Sequence, residues 1–221
     1  MRRAIFARAS SGVGLTASGE QLVARHRPVL SLGQQRPTLA ADVFIASSAN
    51  VVGDVLCYDR SSVWYGATVR GDKSKVRIGR VTAVLDRAVL STVSSPAVDT
   101  GFPSDLNIGS YVTVGQGSVL TSCTIGDGTQ IQPGVVVQEG SVVEKNCILA
   151  AGSVVPQGTL VPQGQFWAGN PAKYVRDVAE EELGTFEKRA EANAALALEH
   201  AEEFLPFGTA YLNVEGIASS K

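Results

Sequence analysis

The sequence predicts an all-β protein: a parallel β-helix of hexapeptide repeats, with an N-terminal arm and a C-terminal α-helix. Three observations carry this. Between Ile125 and Gly164 glycine recurs every six residues, at Gly128, Gly134, Gly140, Gly152, Gly158 and Gly164, with Asn146 in the one missing place. An aliphatic residue keeps the same interval three positions later, at Ile131, Val137, Val143, Leu149, Val155 and Val161, with Ile125 opening the series. Between them stand small or β-branched residues: Thr129, Val135, Ser141, Cys147, Ser153 and Thr159. Asn is the other residue that tolerates left-handed backbone at modest cost, so position 146 keeps the pattern. Each hexad reads as a short strand and a tight turn. Three hexads make one triangular coil, and each coil buries its aliphatic side chains against the next.

The elements follow in chain order. Residues 1–41 form an arm. Its first 36 residues hold six arginines against Glu20 alone, about +5, within an overall charge of −2. Arg-rich, Ser/Ala-rich and acid-poor is the composition of a mitochondrial presequence, and the segment is expected to stay on the protein as a docking arm. Arg2, Arg3 and Arg8 lie among Ile5, Phe6, Val13 and Leu15. That mixture suits an anionic membrane surface and suits an acidic protein partner equally. Ser18 and Gln21 have the spacing of a capping box before Leu22 and Val23.

Residues 42–176 form the β-helix. Ile45, Val51, Cys57, Val63 and Val69 are six apart. The interval slips after Arg70-Gly71-Asp72 and resumes with Ile78, Val84 and Leu90. It breaks at Ser94–Asp105, where Pro96, Gly101, Phe102 and Pro103 predict a loop projecting from a corner, and restarts at Ile108 and Val114. This segment carries ten basic and ten acidic residues in scattered order, which argues against nucleic-acid binding. Cys57, Cys123 and Cys147 lack C-x-x-C spacing and are expected to be buried thiols in a reducing compartment. No run of about 18 apolar residues exists to span a membrane.

Residues 177–221 form an acidic helix and tail. Asp177 with Glu180 is expected to start the helix. Leu183, Phe186, Ala190, Ala194, Ala197, Ala201 and Phe204 then form a stripe at steps of three and four. Such small residues imply close approach to a flat surface. A β-helix exposes strand edges at its ends; the arm is expected to cap one end and this helix the other. The tail, with Phe207, Tyr211 and Leu212, is expected to pack rather than extend into solvent.

Two blocks give a resemblance. Val63-Trp64-Tyr65-Gly66-Ala67-Thr68-Val69-Arg70-Gly71-Asp72 resembles the V-W-x-G-x-x-x-R-G-D block of the γ-class carbonic anhydrases. Phe166-Trp167-Ala168-Gly169-Asn170-Pro171-Ala172-Lys173 is similar to their closing W-x-G-N-P-A-K block. The resemblance covers about residues 40–185. It implies a left-handed β-helix and a trimer, with zinc between neighbouring subunits held by three histidines, two from one chain and one from the next. It also implies that Arg70 and Asp72 form salt bridges across the trimer interface, with Asp86 close by.

The same resemblance implies lost ligands. Ser91 occupies one histidine position, and Gln116 and Thr121 occupy the other two. Leu85 replaces a glutamine of the family. The chain's only histidines, His26 and His200, lie outside the coil. Catalytic zinc needs about three protein ligands and a water whose pKa falls to about 7. Neutral Ser, Thr and Gln are poor substitutes for imidazole, so this chain is expected to bind no zinc of its own and to have no catalytic residues. Trp64 and Trp167 are open between partner anchors and packing.

Degenerate γ-carbonic-anhydrase-like proteins with such an arm and helix resemble subunits of mitochondrial respiratory complex I in plants and algae. The expectation is a non-catalytic assembly subunit of a heterotrimer with other γ-carbonic-anhydrase-type chains. It would sit on the matrix side of the inner membrane, against membrane-arm subunits of complex I and peripheral to lipid. The alternative is a supporting chain in a heterotrimer that keeps one zinc site, between its neighbours. A hexapeptide-repeat acyltransferase is the remote reading, because no histidine base lies between residues 27 and 199.

Overall fold

The structure is a computed structural model. It describes residues 27–94 and 104–203, except the Glu203 side chain, and the backbone of the strands Val13–Leu15 and Gln21–Val23. The arginines at positions 2, 3 and 8, the tail beyond 203 and most of the loop expected at Ser94–Asp105 lie outside the described residues.

Short parallel strands stack in three columns. The first contains Val29–Leu30, the fronts of Asn50–Cys57 and Thr68–Ile78, then Val89–Ser91, Val119–Thr121, Val136–Val137 and Val154–Val155. The second contains Thr38–Leu39, the rear of the same two long strands, then Leu106–Ile108, Thr124–Ile125, Val142–Val143 and Leu160–Val161. The third runs Phe44–Ile45, Ser62–Val63, Ala83–Val84, Thr113–Val114, Gln130–Ile131, Ile148–Leu149 and Gln165–Ala168. One residue of each strand points into the shaft. Val51, Val69, Leu90, Leu120, Val137 and Val155 line one wall; Cys57, Ile78, Ile108, Ile125, Val143 and Val161 the next; Val63, Val84, Val114, Ile131 and Leu149 the third. None of these is more than 4% exposed. Burying one such side chain stabilises the fold by about 1.5–3 kcal/mol, so the stack is held by many equal contributions.

The turns explain the glycine ladder. Gly128, Gly134, Gly140, Gly152, Gly158 and Gly164 have φ between 66° and 72°, and Asn146 has 58°. In the earlier coils Arg60, Val81, Arg87 and Tyr111 take the same left-handed turn, at 53° to 58°. A β-branched residue there is strained; Val81 is held by burial against Ala190, Ala194 and Tyr111. The small residues of the ladder have a second use. Their hydroxyls donate to corner carbonyls that no strand satisfies, as Ser141 Oγ does to Pro156 O at 2.8 Å and Ser153 Oγ to Ala150 O at 2.7 Å.

Four expectations need correction. First, the β-helix starts upstream of residue 42, because Val29–Leu30 and Thr38–Leu39 already pair with the first full coil. Second, the Ser18/Gln21 spacing opens no helix: Gln21–Val23 pairs antiparallel with Val13–Leu15. Val13 and Val23, paired with each other, favour extended backbone over helix. Third, Asp177 does not start the helix, because it ends the strand Lys173–Asp177, which pairs antiparallel with Gln165–Ala168. That strand, exposed along its length, finishes the C-terminal end of the third column.

The fourth concerns the helix, α1, which spans Glu180–Glu203. It caps no end. It lies along the third column, against Phe44–Ile45, Ser62–Val63 and Ala83–Val84. At about 1.5 Å per residue its length matches several coils spaced about 4.8 Å apart, far more than one coil end. Phe186, Ala190, Ala194 and Ala197 are buried there, whereas Ala201 is exposed. Near its end His200 Nδ1 lies 2.9 Å from Tyr65 Oη, and its ring meets Trp64 edge-on at 5.1 Å. Among the described residues no helix is long and apolar enough to cross a membrane.

The start of α1 rests on Glu182. Its carboxylate accepts from both Arg176 Nη atoms, at 2.7 and 2.8 Å, and from Ala179 N at 3.0 Å. The Arg176 hydrogen bonds first, then the Ala179 amide, hold this carboxyl at about 2, below the ordinary 4.5. A depressed folded-state value means the stabilisation is fully present above 4.5 and is lost as pH falls toward 2. Glu182→Gln is therefore expected to lower the melting temperature slightly at neutral pH. The difference from wild type should shrink on acidification through that window, as read by far-UV circular dichroism. A difference independent of pH would refute this assignment.

Candidate functional site

Ser91 and Thr121 come together through register. Both sit on outward positions of the first column, where Arg70 pairs with Ser91 and Ser91 with Thr121 on successive strands. Their hydroxyl oxygens are 3.3 Å apart. Arg70, at the end of this row, donates through Nη2 to Asp72 Oδ2 at 2.6 Å. Within the chain, then, Arg70 and Asp72 pair with each other, their side chains 55% and 19% exposed. Desolvation opposes ionisation of Asp72, but the Arg70 hydrogen bond and charge outweigh it and hold the carboxyl below its usual range.

Gln116 sits elsewhere. It is exposed on the turn that follows Thr113–Val114, fixed by the bond from Gly134 N to its carbonyl at 2.9 Å. With Tyr65, Asp86, Arg87 and Pro133 it lines a surface cavity of about 520 Å³. Asp86 is part of that wall because its Oδ1 accepts from Tyr65 N at 3.1 Å. Of the residues singled out in the sequence, the structure thus groups Arg70, Asp72, Ser91 and Thr121 at one place and Asp86 with Gln116 at another. The tryptophans have packing roles in the chain. Trp64 is buried, donates from Nε1 to Ser62 Oγ at 3.0 Å and packs on Phe44 at 5.5 Å. Trp167 is half-buried and donates to Gln165 Oε1 at 2.9 Å.

The donors define the chemistry available. A hydroxyl pair and a carboxamide are neutral, weakly basic groups; they do not fit a catalytic zinc, which takes imidazole, thiolate or carboxylate. Among the described residues no group of three or more His, Cys, Asp or Glu side chains could hold a metal. The cysteines add no ligand, since burial pushes the Cys57 and Cys123 thiols up to about 12 and raises that of Cys147. Sequence reasoning passed over Thr113, Gln130 and Arg189, which meet under α1. Only the placement of the helix reveals them, because the hexad pattern specifies inward positions and leaves outward ones free.

Comparison with known proteins agrees with this architecture. A family model described as bacterial transferase hexapeptide (six repeats) matches residues 122–157. Gamma carbonic anhydrase-like 2, mitochondrial, of Arabidopsis thaliana is 48% identical over 195 residues, which span 88% of this chain and 75% of that protein. Gamma carbonic anhydrase-like 1, mitochondrial, of the same plant is also 48% identical, over 88% of this chain and 76% of its own length. A crystal structure of a hexapeptide transferase family protein from Anaplasma phagocytophilum superposes with a TM-score of 0.71 at 34% identity, covering 77% of this chain and 96% of that one. With both characteristic blocks, the coil and this degree of identity, the chain belongs to the γ-carbonic-anhydrase-like family.

Proposed function

We propose that this chain is a non-catalytic structural and assembly subunit. In this reading it joins other γ-carbonic-anhydrase-type chains in a heterotrimer on the matrix side of the mitochondrial inner membrane. The trimer docks on the membrane arm of NADH:ubiquinone oxidoreductase. The observation that carries the reading is the Ser91–Thr121 pair, 3.3 Å apart, with Gln116 on another corner. These are the three ligand positions implied by the family pattern, and neutral side chains hold all of them. Their division supports a trimer in which each site takes two positions from one chain and one from the next. Mitochondrial placement is supported by the names of the two Arabidopsis relatives and by the Arg-rich arm.

Arg70 and Asp72 are the interface residues in this proposal. Their guanidinium and carboxylate would exchange partners with a neighbour's, and an ion pair buried in that way loses about 3–5 kcal/mol when one member is removed. The test is complementation of cells lacking the chain, with membranes resolved on native gels. Arg70→Ala, and deletion of residues 1–26, are each expected to remove this chain from the respiratory complex and to deplete the assembled membrane arm. Full assembly with both variants would refute the proposal.

The same geometry favours a second reading. A chain that contributes to two of three interfaces leaves the third to its neighbours, which would keep a complete histidine set and hydrate carbon dioxide there. Removing the neighbours' ligands separates the two readings: assembly retained with hydration lost supports the second.

A further inference from the structure

The corner between the second and third columns carries a repeat that neither family-like block contains. Arg77-Ile78-Gly79-Arg80 and Asn107-Ile108-Gly109-Ser110 lie on adjacent coils, in register because Ile78 pairs with Ile108. The isoleucines point into the shaft and the glycines make the corner. A Cβ on Gly79 would sit 2.3 Å from Gly109 O, and one on Gly109 would sit 2.5 Å from Asp127 Oδ1. Contact between coils therefore keeps side chains off this corner, and a recess of about 370 Å³ opens there. Arg77 and Asn107 line it from the strand, Arg80 and Ser110 from the turn. The exposed Tyr58, on the preceding coil, lines it from that end. Arg77 Nη1 donates to Asn107 Oδ1 at 3.3 Å, which leaves the Asn107 amide nitrogen to donate elsewhere. Arg77 forms no ion pair among the described residues. Arg80 has one loose, exposed pair, its Nε 3.9 Å from Asp59 Oδ2, and such a pair contributes little. No carboxylate is among the lining residues, so the recess is rich in donors and carries two guanidiniums.

We propose that this recess binds a nucleoside monophosphate, with the phosphate between Arg77 and Arg80 and the base against the ring of Tyr58. Two guanidiniums match the charge of a phosphate monoester dianion, and each can hold two of its oxygens. The Asn107 amide and the Ser110 hydroxyl add uncharged donors. An exposed tyrosine ring offers the flat face on which a base stacks. Ligand pockets span about 300–1,000 Å³, and this one stands at the small end, so a single nucleotide suits it better than a dinucleotide. The site lies apart from the first column, which carries Ser91 and Thr121, and does not depend on the assembly role.

The full chain would be titrated by calorimetry with AMP, ribose 5-phosphate and adenosine at constant ionic strength in chloride. AMP is expected to saturate the site below about 5 mM. Ribose 5-phosphate lacks the base and adenosine lacks the phosphate, so each should bind about tenfold more weakly than AMP, or not at all. Arg77→Gln with Arg80→Gln changes two exposed side chains and should keep the fold, which thermal melts would confirm, while weakening AMP about tenfold or more. Tyr58→Ala should weaken AMP about tenfold, and Tyr58→Phe, which keeps the ring, should bind it as the unaltered chain does. The proposal is overturned if AMP does not saturate by about 5 mM, or if ribose 5-phosphate or adenosine binds as tightly. It is equally overturned if the affinity for AMP is unchanged in the double arginine variant or in Tyr58→Ala, or if Tyr58→Phe loses as much as Tyr58→Ala.

Discussion

Gly53→Ala is expected to lower the melting temperature by about 10 °C or more. The two long strands Asn50–Cys57 and Thr68–Ile78 turn a corner without a break, and their backbones touch there. A Cβ on Gly53 would sit 2.3 Å from Gly71 O and 2.6 Å from Gly71 C, so the neighbouring coil must move. Gly53 also has φ of 86°, a conformation that L side chains rarely adopt. Overpacking and backbone strain each contribute about 1–3 kcal/mol. Gly152→Ala separates the two effects. Gly152 has φ of 69°, but a methyl added there would meet nothing within 4 Å, so only the strain remains and the loss should be about 1 kcal/mol. Equal losses in the two variants would show that close contact between coils is not what position 53 requires. Because the displaced atom belongs to Gly71, Gly53→Ala should also disturb Arg70 and Asp72 and weaken any assembly that relies on them.

The corner illustrates what was legible in the sequence. The coils between Ile125 and Gly164 were plain because glycine or asparagine occupies each left-handed turn. The earlier coils place Arg60, Val81, Arg87 and Tyr111 in that turn, and residues of such mixed type leave no mark in composition. The interval also shortens by one between Leu120 and Ile125, where Ser122 takes φ of 36°. The alanine stripe announced a helix on a flat surface, but a stripe does not say which surface. A column of strands and the end of a coil look alike from the helix, and only the column is long enough to meet 24 residues. At the site, the positions of Ser91, Gln116 and Thr121 are those the family resemblance implies. Their division into a pair and a single residue followed from strand register, which depends on the number of residues in each coil. Leu90 and Leu120, 30 residues apart, are adjacent, as are Val137 and Val155, 18 apart.

That register sets up the largest expected gain of function. Ser91→His with Gln116→His and Thr121→His is expected to give a chain that binds zinc stoichiometrically once copies associate. Ser91 and Thr121 face outward on adjacent parallel strands, about 4.8 Å apart by strand spacing, which suits two imidazoles converging on one ion. Gln116 stands on another corner, so its imidazole is expected to serve the site of a second copy. Ser91→His/Thr121→His alone should therefore bind zinc weakly. Adding Gln116→His should tighten binding by about two orders of magnitude or more, with one zinc for each interface formed. Arg70→Ala, introduced into the triple variant to break the association, should return the affinity to that of the double variant. Native mass spectrometry with metal counting reads stoichiometry and assembly in one measurement. Stoichiometric zinc in the unaltered chain would contradict the assignment of these positions as vacated ligands. A folded, associated triple variant that binds no more zinc than the double variant would refute the placement of Gln116 opposite a neighbour's Ser91–Thr121 pair.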